Sequence, residues 1–126
     1  MKDVSADGFV GFVIDQMGNG RSLRVRRMFG GHGLYRDNLM FAIIIQEKLY
    51  LKSDDLNRDK FETAGLQPFT YESRGKRVTI RYYEAPPDVF DDSETMQAWA
   101  ESAFAAASRA VRHGAVPRKK GGRRQK

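Results

Sequence analysis

Residues 33–52, GLYRDNLMFAIIIQEKLYLK, decide the fold. Asp37-Asn38 is a two-residue turn of residues that tolerate left-handed backbone, the chemistry of a tight hairpin. Leu39-Met40-Phe41-Ala42-Ile43-Ile44-Ile45 follows without any polar alternation. Such a run predicts a strand covered on both faces, as one at the centre of a sheet is. Gln46-Glu47 makes the next turn, into a strand at Lys48–Lys52. With Gly33–Arg36 in front, the stretch predicts three consecutive antiparallel strands.

Reading outward toward the C-terminus, Asp54–Ala64 predicts a short helix with acids in its first turn and Gly65 behind it. Phe69–Ser73 and Val78–Tyr83 predict a second hairpin around Arg74-Gly75-Lys76, with Val78, Ile80 and Tyr82 on one face. Pro86-Pro87 closes the sheet region. Ser93 then caps a helix on which Met96, Trp99, Ala100, Ala103, Phe104, Ala107, Ala110 and Val111 recur at three- and four-residue spacing. Gly114 and Pro117 end it. Toward the N-terminus, Phe9, Val10, Val13, Ile14 and Met17 fall on one face of a helix over residues 5–17, with Ser5 as its cap. Gly18-Asn19-Gly20 ends that helix. Arg21–Phe29 reads as a linking segment. The order is one helix, three strands, one helix, two strands, one helix (α-β3-α-β2-α). Consecutive antiparallel strands with segregated helices predict a two-layer α+β domain over residues 1–114.

The 126 residues suffice for one domain. Their 22 bases and 16 acids give a net charge of +6, but the surplus is local. From Arg109 onward there are eight bases and no acid, so residues 1–108 hold 14 bases, 16 acids and a net charge of −2. Residues 115–126 form a basic, glycine-rich tail too polar to fold alone. Cysteine is absent, which excludes disulfides, thiolate metal sites and cysteine nucleophiles. Two histidines make an all-protein transition-metal site an unpromising reading. No apolar run approaches the ~18 residues of a membrane span. A cytoplasmic protein with no cofactor and no membrane partner is the expectation, as a monomer or a homodimer.

No residue set reads as catalytic. A nucleophile needs a base and an orienting group in contact. His32 lies in what reads as a glycine-rich turn, and His113 at a helix end favourable to a cation. Asp54-Asp55 and Asp91-Asp92 both stand where a helix begins, so capping accounts for them. Gly30-Gly31-His32-Gly33 lacks a following Lys-Ser/Thr and precedes a strand, unlike a phosphate loop. Alternation explains Tyr50, Tyr71, Tyr82 and Tyr83 as sheet packing more simply than as base-stacking platforms.

Two basic features remain as candidates. Arg24, Arg26 and Arg27 lie in an acid-free stretch, with Met28 and Phe29 expected to insert into the core. Because guanidinium groups suit carboxylate and phosphate, these arginines are candidates for contact with a protein partner or an anion. Arg118, Lys119, Lys120, Arg123, Arg124 and Lys126 are candidates for weak contact with nucleic acid, through phosphate and without sequence preference. The leading expectation is a non-enzymatic regulatory or adaptor domain with a protein partner. The alternative is a small-molecule-binding domain or enzyme that uses Arg26, Arg27 and His32.

Residues Arg26-Arg27-Met28-Phe29-Gly30-Gly31-His32-Gly33-Leu34-Tyr35, with Leu39-Met40-Phe41-Ala42 and Leu49-Tyr50-Leu51-Lys52, carry a family resemblance. So do Pro68-Phe69-Thr70-Tyr71, the Tyr82-Tyr83 strand with Pro86, and Trp99-Ala100. Over residues 9–108 the chain resembles the N-terminal domain of the TfoX/Sxy competence regulators. The resemblance implies a bacterial regulatory domain, an α+β fold similar to type III secretion chaperones, and no catalytic residues.

Overall fold

A computed structural model of the chain describes residues 4–18, 22–28 and 30–112. Helix α1 (Val4–Met17) precedes four strands, β1 (Leu23–Met28), β2 (Gly31–Arg36), β3 (Leu39–Ile45) and β4 (Lys48–Lys52). Helix α2 (Arg58–Thr63), strands β5 (Pro68–Ser73) and β6 (Lys76–Glu84), a 3-10 turn at Pro87–Phe90 and helix α3 (Ser93–Arg112) complete it. The six strands form one antiparallel sheet in the order β1-β2-β3-β4-β6-β5. This is the two-layer α+β domain that the sequence predicts, with one strand more. The segment read as a linker contributes β1, paired from Leu23–Arg36 to Met28–Gly31. Its arginines disguise it, because an edge strand in water has no need of apolar alternation.

Tight turns fix the register. Asp37 and Asn38 have φ of 54° and 66°, Gln46 and Glu47 have 53° and 60°, and Arg74 and Gly75 have 55° and 79°. Positive φ at both central residues is the type I′ signature, whose twist matches that of the flanking strands. A bulge in β3 then sets which side chains face which way. Leu34 pairs with Ala42 but Tyr35 pairs with Met40, so Phe41 is the extra residue. The bulge breaks the strict alternation. Phe41 joins Ala42 and Ile44 in the core beneath the helices, where its ring meets that of Phe104 edge-on at 6.2 Å. Met40 is thereby left on the opposite face with Ile43.

All the helices cover that one face. Val10, Val13 and Met17 of α1 and Met96, Ala100, Ala103 and Ala107 of α3 close over Leu34, Ile44, Leu49 and Leu51. The alanine stripe lets α3 lie close to β3 and β4. Phe61 of α2 is fully buried between Tyr83, stacked at 5.0 Å, and Trp99, at 5.1 Å. Trp99 is half-buried, on the core-facing stripe as predicted, with the Lys60 ammonium 4.4 Å above its ring. Arg36 bridges sheet and helix, bonding Glu101 at 2.9 Å and lying 4.1 Å over the Phe104 ring.

The carboxylate pairs act largely as joints. Asp92, rather than Ser93, caps α3, because its carboxylate accepts the Thr95 amide and hydroxyl while Ser93 is already helical. Helix α2 starts only at Arg58, and Asp54–Asn57 forms a turn ahead of it. There Asp54 accepts two bonds from Arg109 of α3, at 2.7 and 3.0 Å, and the amides of Leu56 and Asn57. Buried Asn57 ties the same turn to β4 and α3 by donating to the Lys52 and Ser102 carbonyls. Asp55 pairs with Arg58 and Arg81.

The Arg109 bonds, with help from the two amides, hold the Asp54 carboxyl below its ordinary range against the opposing effect of burial. A depressed folded-state pKa adds stability above the unfolded-state value, and that stability disappears as the carboxyl is protonated. Asp54→Asn should therefore cost about 1.5–3 kcal/mol at neutral pH, the range for hydrogen bonds to charged groups. The gap from the wild type should narrow as pH falls below about 4, through the unfolded and then the folded pKa. Urea unfolding at neutral and acid pH measures both quantities. A gap independent of pH would show that the charge of Asp54 is not what matters.

Candidate functional site

Among the described residues no second layer covers the face of the sheet away from the helices, although Ile43 and Tyr82 on it are buried and Tyr71 is exposed. There the β5–β6 hairpin and β1–β3 enclose a cavity of about 450 Å³. Met28, Met40, Ile43, Ile45, Phe69, Tyr71, Ile80 and Tyr82 form its walls, with His32 at the margin. The register explains this assembly, since directly opposed residues share a face. Ile43 opposes Gly33 and Tyr50, Tyr71 opposes Val78, and Ile80 and Tyr82 lie two apart on β6. Gly33 leaves room at the floor, because a Cβ there would lie 2.8 and 2.9 Å from the Met28 and Met40 sulfurs. The predicted shared face of Val78, Ile80 and Tyr82 is real, but it packs against no helix.

The aromatic rings of this face are engaged mainly with one another. Tyr50 meets Phe69 edge-on at 5.0 Å, and Tyr71 stacks on Phe69 at 6.0 Å. Tyr82 donates its hydroxyl to the Met40 carbonyl at 3.3 Å. Burial, with a smaller contribution from Tyr35, pushes its pKa up to about 12, so the phenol stays protonated at physiological pH. The Lys52 ammonium lies 5.1 Å over the Tyr82 ring. Burial, followed by the charge of Arg81, pulls the Lys52 pKa down, while Asp54 opposes the shift.

The predicted site residues divide between faces. Arg24 and Arg26 oppose Tyr35 and Gly33, on the bare side, whereas Arg27 opposes His32 on the helix side. Arg24 donates to the Asn38 side chain at 3.2 Å, and the Arg26 guanidinium lies 5.9 Å over the Tyr35 ring. All three arginines are exposed. His32 belongs to β2, not to a turn, and its register with Arg27 and core residue Ile44 sets it on the opposite face from Arg26, although it borders the cavity. Its flanking glycines serve close packing within the sheet rather than chain reversal. The polar cluster that the small-molecule or enzyme alternative requires is therefore not assembled. Met28 is a wall of the cavity and not a core residue. Phe29, Arg21, His113 and the tail candidates Arg118, Lys119, Lys120, Arg123, Arg124 and Lys126 lie outside the described residues, as does the Ser5 side chain.

Among the described residues no cluster of three or more His, Asp or Glu side chains is placed to hold a metal ion. No helix among them is long and apolar enough to cross a membrane. The site is an apolar cavity with the exposed Arg24 and Arg26 beside it. Apart from Met28, which falls in the segment read as a linker, its wall residues were visible in the sequence as strand residues. The sequence predicts cover on both faces of Leu39–Ile45; among the described residues the helices cover one face, and on the other Ile43 is buried while Met40 and Ile45 are half-buried.

The chain is 29% identical to the DNA transformation protein TfoX of Haemophilus influenzae over 89 residues, 70% of this chain and 40% of that protein. It is 29% identical to DNA transformation protein TfoX1 of Aliivibrio fischeri over 59 residues, 47% of this chain and 28% of the relative. An uncharacterized 12.7 kDa protein in the trpE 5′ region of Spirochaeta aurantia is 37% identical over 54 residues, 43% of this chain and 47% of its own. The matched segments thus span less than half the length of each relative. The TfoX N-terminal domain model matches residues 15–107, a range that includes all six strands and most of α3. The chain belongs to the TfoX N-terminal domain family.

Proposed function

We propose that the chain is a non-catalytic regulatory or adaptor domain that contributes to the control of DNA transformation by binding another protein. The observation that carries this reading is the bare sheet face, whose thioether, aliphatic and aromatic side chains suit adhesion rather than proton transfer. A partly open apolar cavity of this kind, with Ile43 and Tyr82 buried at its base and Tyr71 exposed at its edge, suits the apolar side chains of a partner. Family membership and the names of the relatives supply the biological setting. The protein acts in the cytoplasm, and its basic tail adds a weak hold on nucleic acid that does not depend on sequence.

The two parts of this reading are tested separately. Deleting the gene should change transcript levels of the DNA-uptake genes of the source organism. An unchanged profile under transformation-inducing conditions would contradict the regulatory role. For the tail, six phosphate contacts predict that log affinity for duplex DNA falls against log salt with a slope of about −5. Removing residues 115–126 should abolish most retention at low salt, and unchanged affinity would sink the tail contact.

A further inference from the structure

The strands bring an asymmetric set of charges to the bare face. Arg24 and Arg26 share it with Gly33 and Tyr35, Lys48 with Ile45, Lys52 with Tyr82, and Lys76 with Ser73 beside Tyr71. Glu84, opposite Tyr50, is the one acid that the strands place there. Among the described residues none of these five bases has an ion-pair partner. One basic flank therefore runs along β1 and another lies toward β4 and the hairpin, with an apolar floor between them.

We propose that this groove is the docking site for an acidic amphipathic helix of a partner protein, with the helix's apolar stripe on the floor and its carboxylates toward the two basic flanks. The proposal deepens the protein-binding reading above and rests on it. The dimensions agree. Between the flanks β3 runs seven residues at about 3.3 Å each, roughly 23 Å, the length of about 15 helical residues. Met28 and Met40 give the floor flexible thioethers that adapt to the side chains of a helix.

The charge pattern also argues against the competing occupants. A second copy would bring basic flanks against basic flanks. The chain's own tail is polar and carries the same sign. A planar bilayer cannot enter a groove between two walls. Single-stranded nucleic acid requires free aromatic platforms, whereas Tyr50, Phe69 and Tyr71 stack on one another and much of the floor is aliphatic or thioether.

The test uses the full chain and a designed fluorescent peptide of about 16 residues, with leucines at helical spacing and glutamates on both flanks. A sequence-scrambled peptide and a glutamate-to-lysine peptide serve as controls, and fluorescence anisotropy reads binding. The acidic helix should bind at least about tenfold more tightly than either control. Ile80→Glu and Met28→Glu, on opposite walls, should each weaken binding at least about tenfold while thermal unfolding shows a folded domain. Arg26→Glu combined with Lys76→Glu should shift preference toward the basic peptide. Equal affinity for all three peptides, or binding unchanged by the wall variants, would overturn the proposal. So would a groove-dependent homodimer in sedimentation, or tighter groove-dependent binding of oleate or single-stranded DNA. A protein partner found to bind the domain through another face would overturn the groove assignment and leave the adaptor reading intact.

Discussion

Replacing Phe61 with Ala should cost about 3–5 kcal/mol, the range for removing a large aromatic side chain from a packed core. Phe61 is the one fully buried side chain of α2, and it joins that short helix to the rest of the domain. Its ring lies between Tyr83 of β6 and Trp99 of α3, so truncation opens a void bordered by two elements that cannot both move in to fill it. The nearby hydrogen bond from Tyr83 to Glu62, at 2.8 Å, would lose its packing support. Urea unfolding followed by Trp99 fluorescence gives the number directly. Because the indole touches the Phe61 ring, the native emission should shift as well. A loss below ~1 kcal/mol would show that the site collapses freely and that α2 is not anchored through this ring.

Gly31→Ala should be comparably damaging for the opposite reason. A Cβ at Gly31 would run into the Ile44 carbonyl oxygen and lie 3.0 Å from Cγ1 of Ile45. A long side chain could swing away, but a carbonyl inside the β2–β3 ladder cannot move without breaking sheet pairing. Overpacking of this kind costs about 1–3 kcal/mol, and a backbone obstacle places the expected value near the upper end. Gly33→Ala is the informative comparison, since the obstacles there include two methionine sulfurs that can rotate aside. The expected order of thermal stability is wild type, Gly33→Ala, then Gly31→Ala well below. Reversal of the last two would mean that the close approach of β2 to β3 is wrongly described.

Much of the architecture was legible because its signals are local. The Asp37-Asn38 and Gln46-Glu47 turns, the unbroken run at Leu39–Ile45 and the periodic stripe from Met96 to Ala107 each declare an element. Strand β1 was hidden because Leu-Arg-Val-Arg-Arg-Met at an exposed edge meets no requirement that distinguishes it from a linker. The glycines at 30, 31 and 33 suggested a turn, yet Gly31 and Gly33 lie within β2 because a neighbouring backbone or side chain comes too close for a Cβ. The bulge at Phe41 was equally invisible, and it is what sends Met40 to the bare face.

The candidate site was less legible than the fold. Its wall residues come from β1, β3, β5 and β6, and only tertiary folding joins them. Alternation in β6 announced a shared face for Val78, Ile80 and Tyr82 but could not say whether a helix would cover it. Arg24 and Arg26 were singled out by charge alone, and their place beside an apolar groove depends on the pairing of β1 with β2. Arg27 shared their composition and not their direction, since successive strand residues point to opposite faces.

The proposed regulatory role places the working surface of the domain on the apolar sheet face away from the helices. The direct measurement is transcript analysis of the DNA-uptake genes in the source organism after its gene is replaced by the Ile80→Glu form. Purified Ile80→Glu protein must first unfold at close to the wild-type temperature, so that loss of function cannot be loss of structure. This folded variant should reproduce the transcript profile of the gene deletion. A wild-type profile from a domain with a glutamate in its apolar groove would contradict the proposed role.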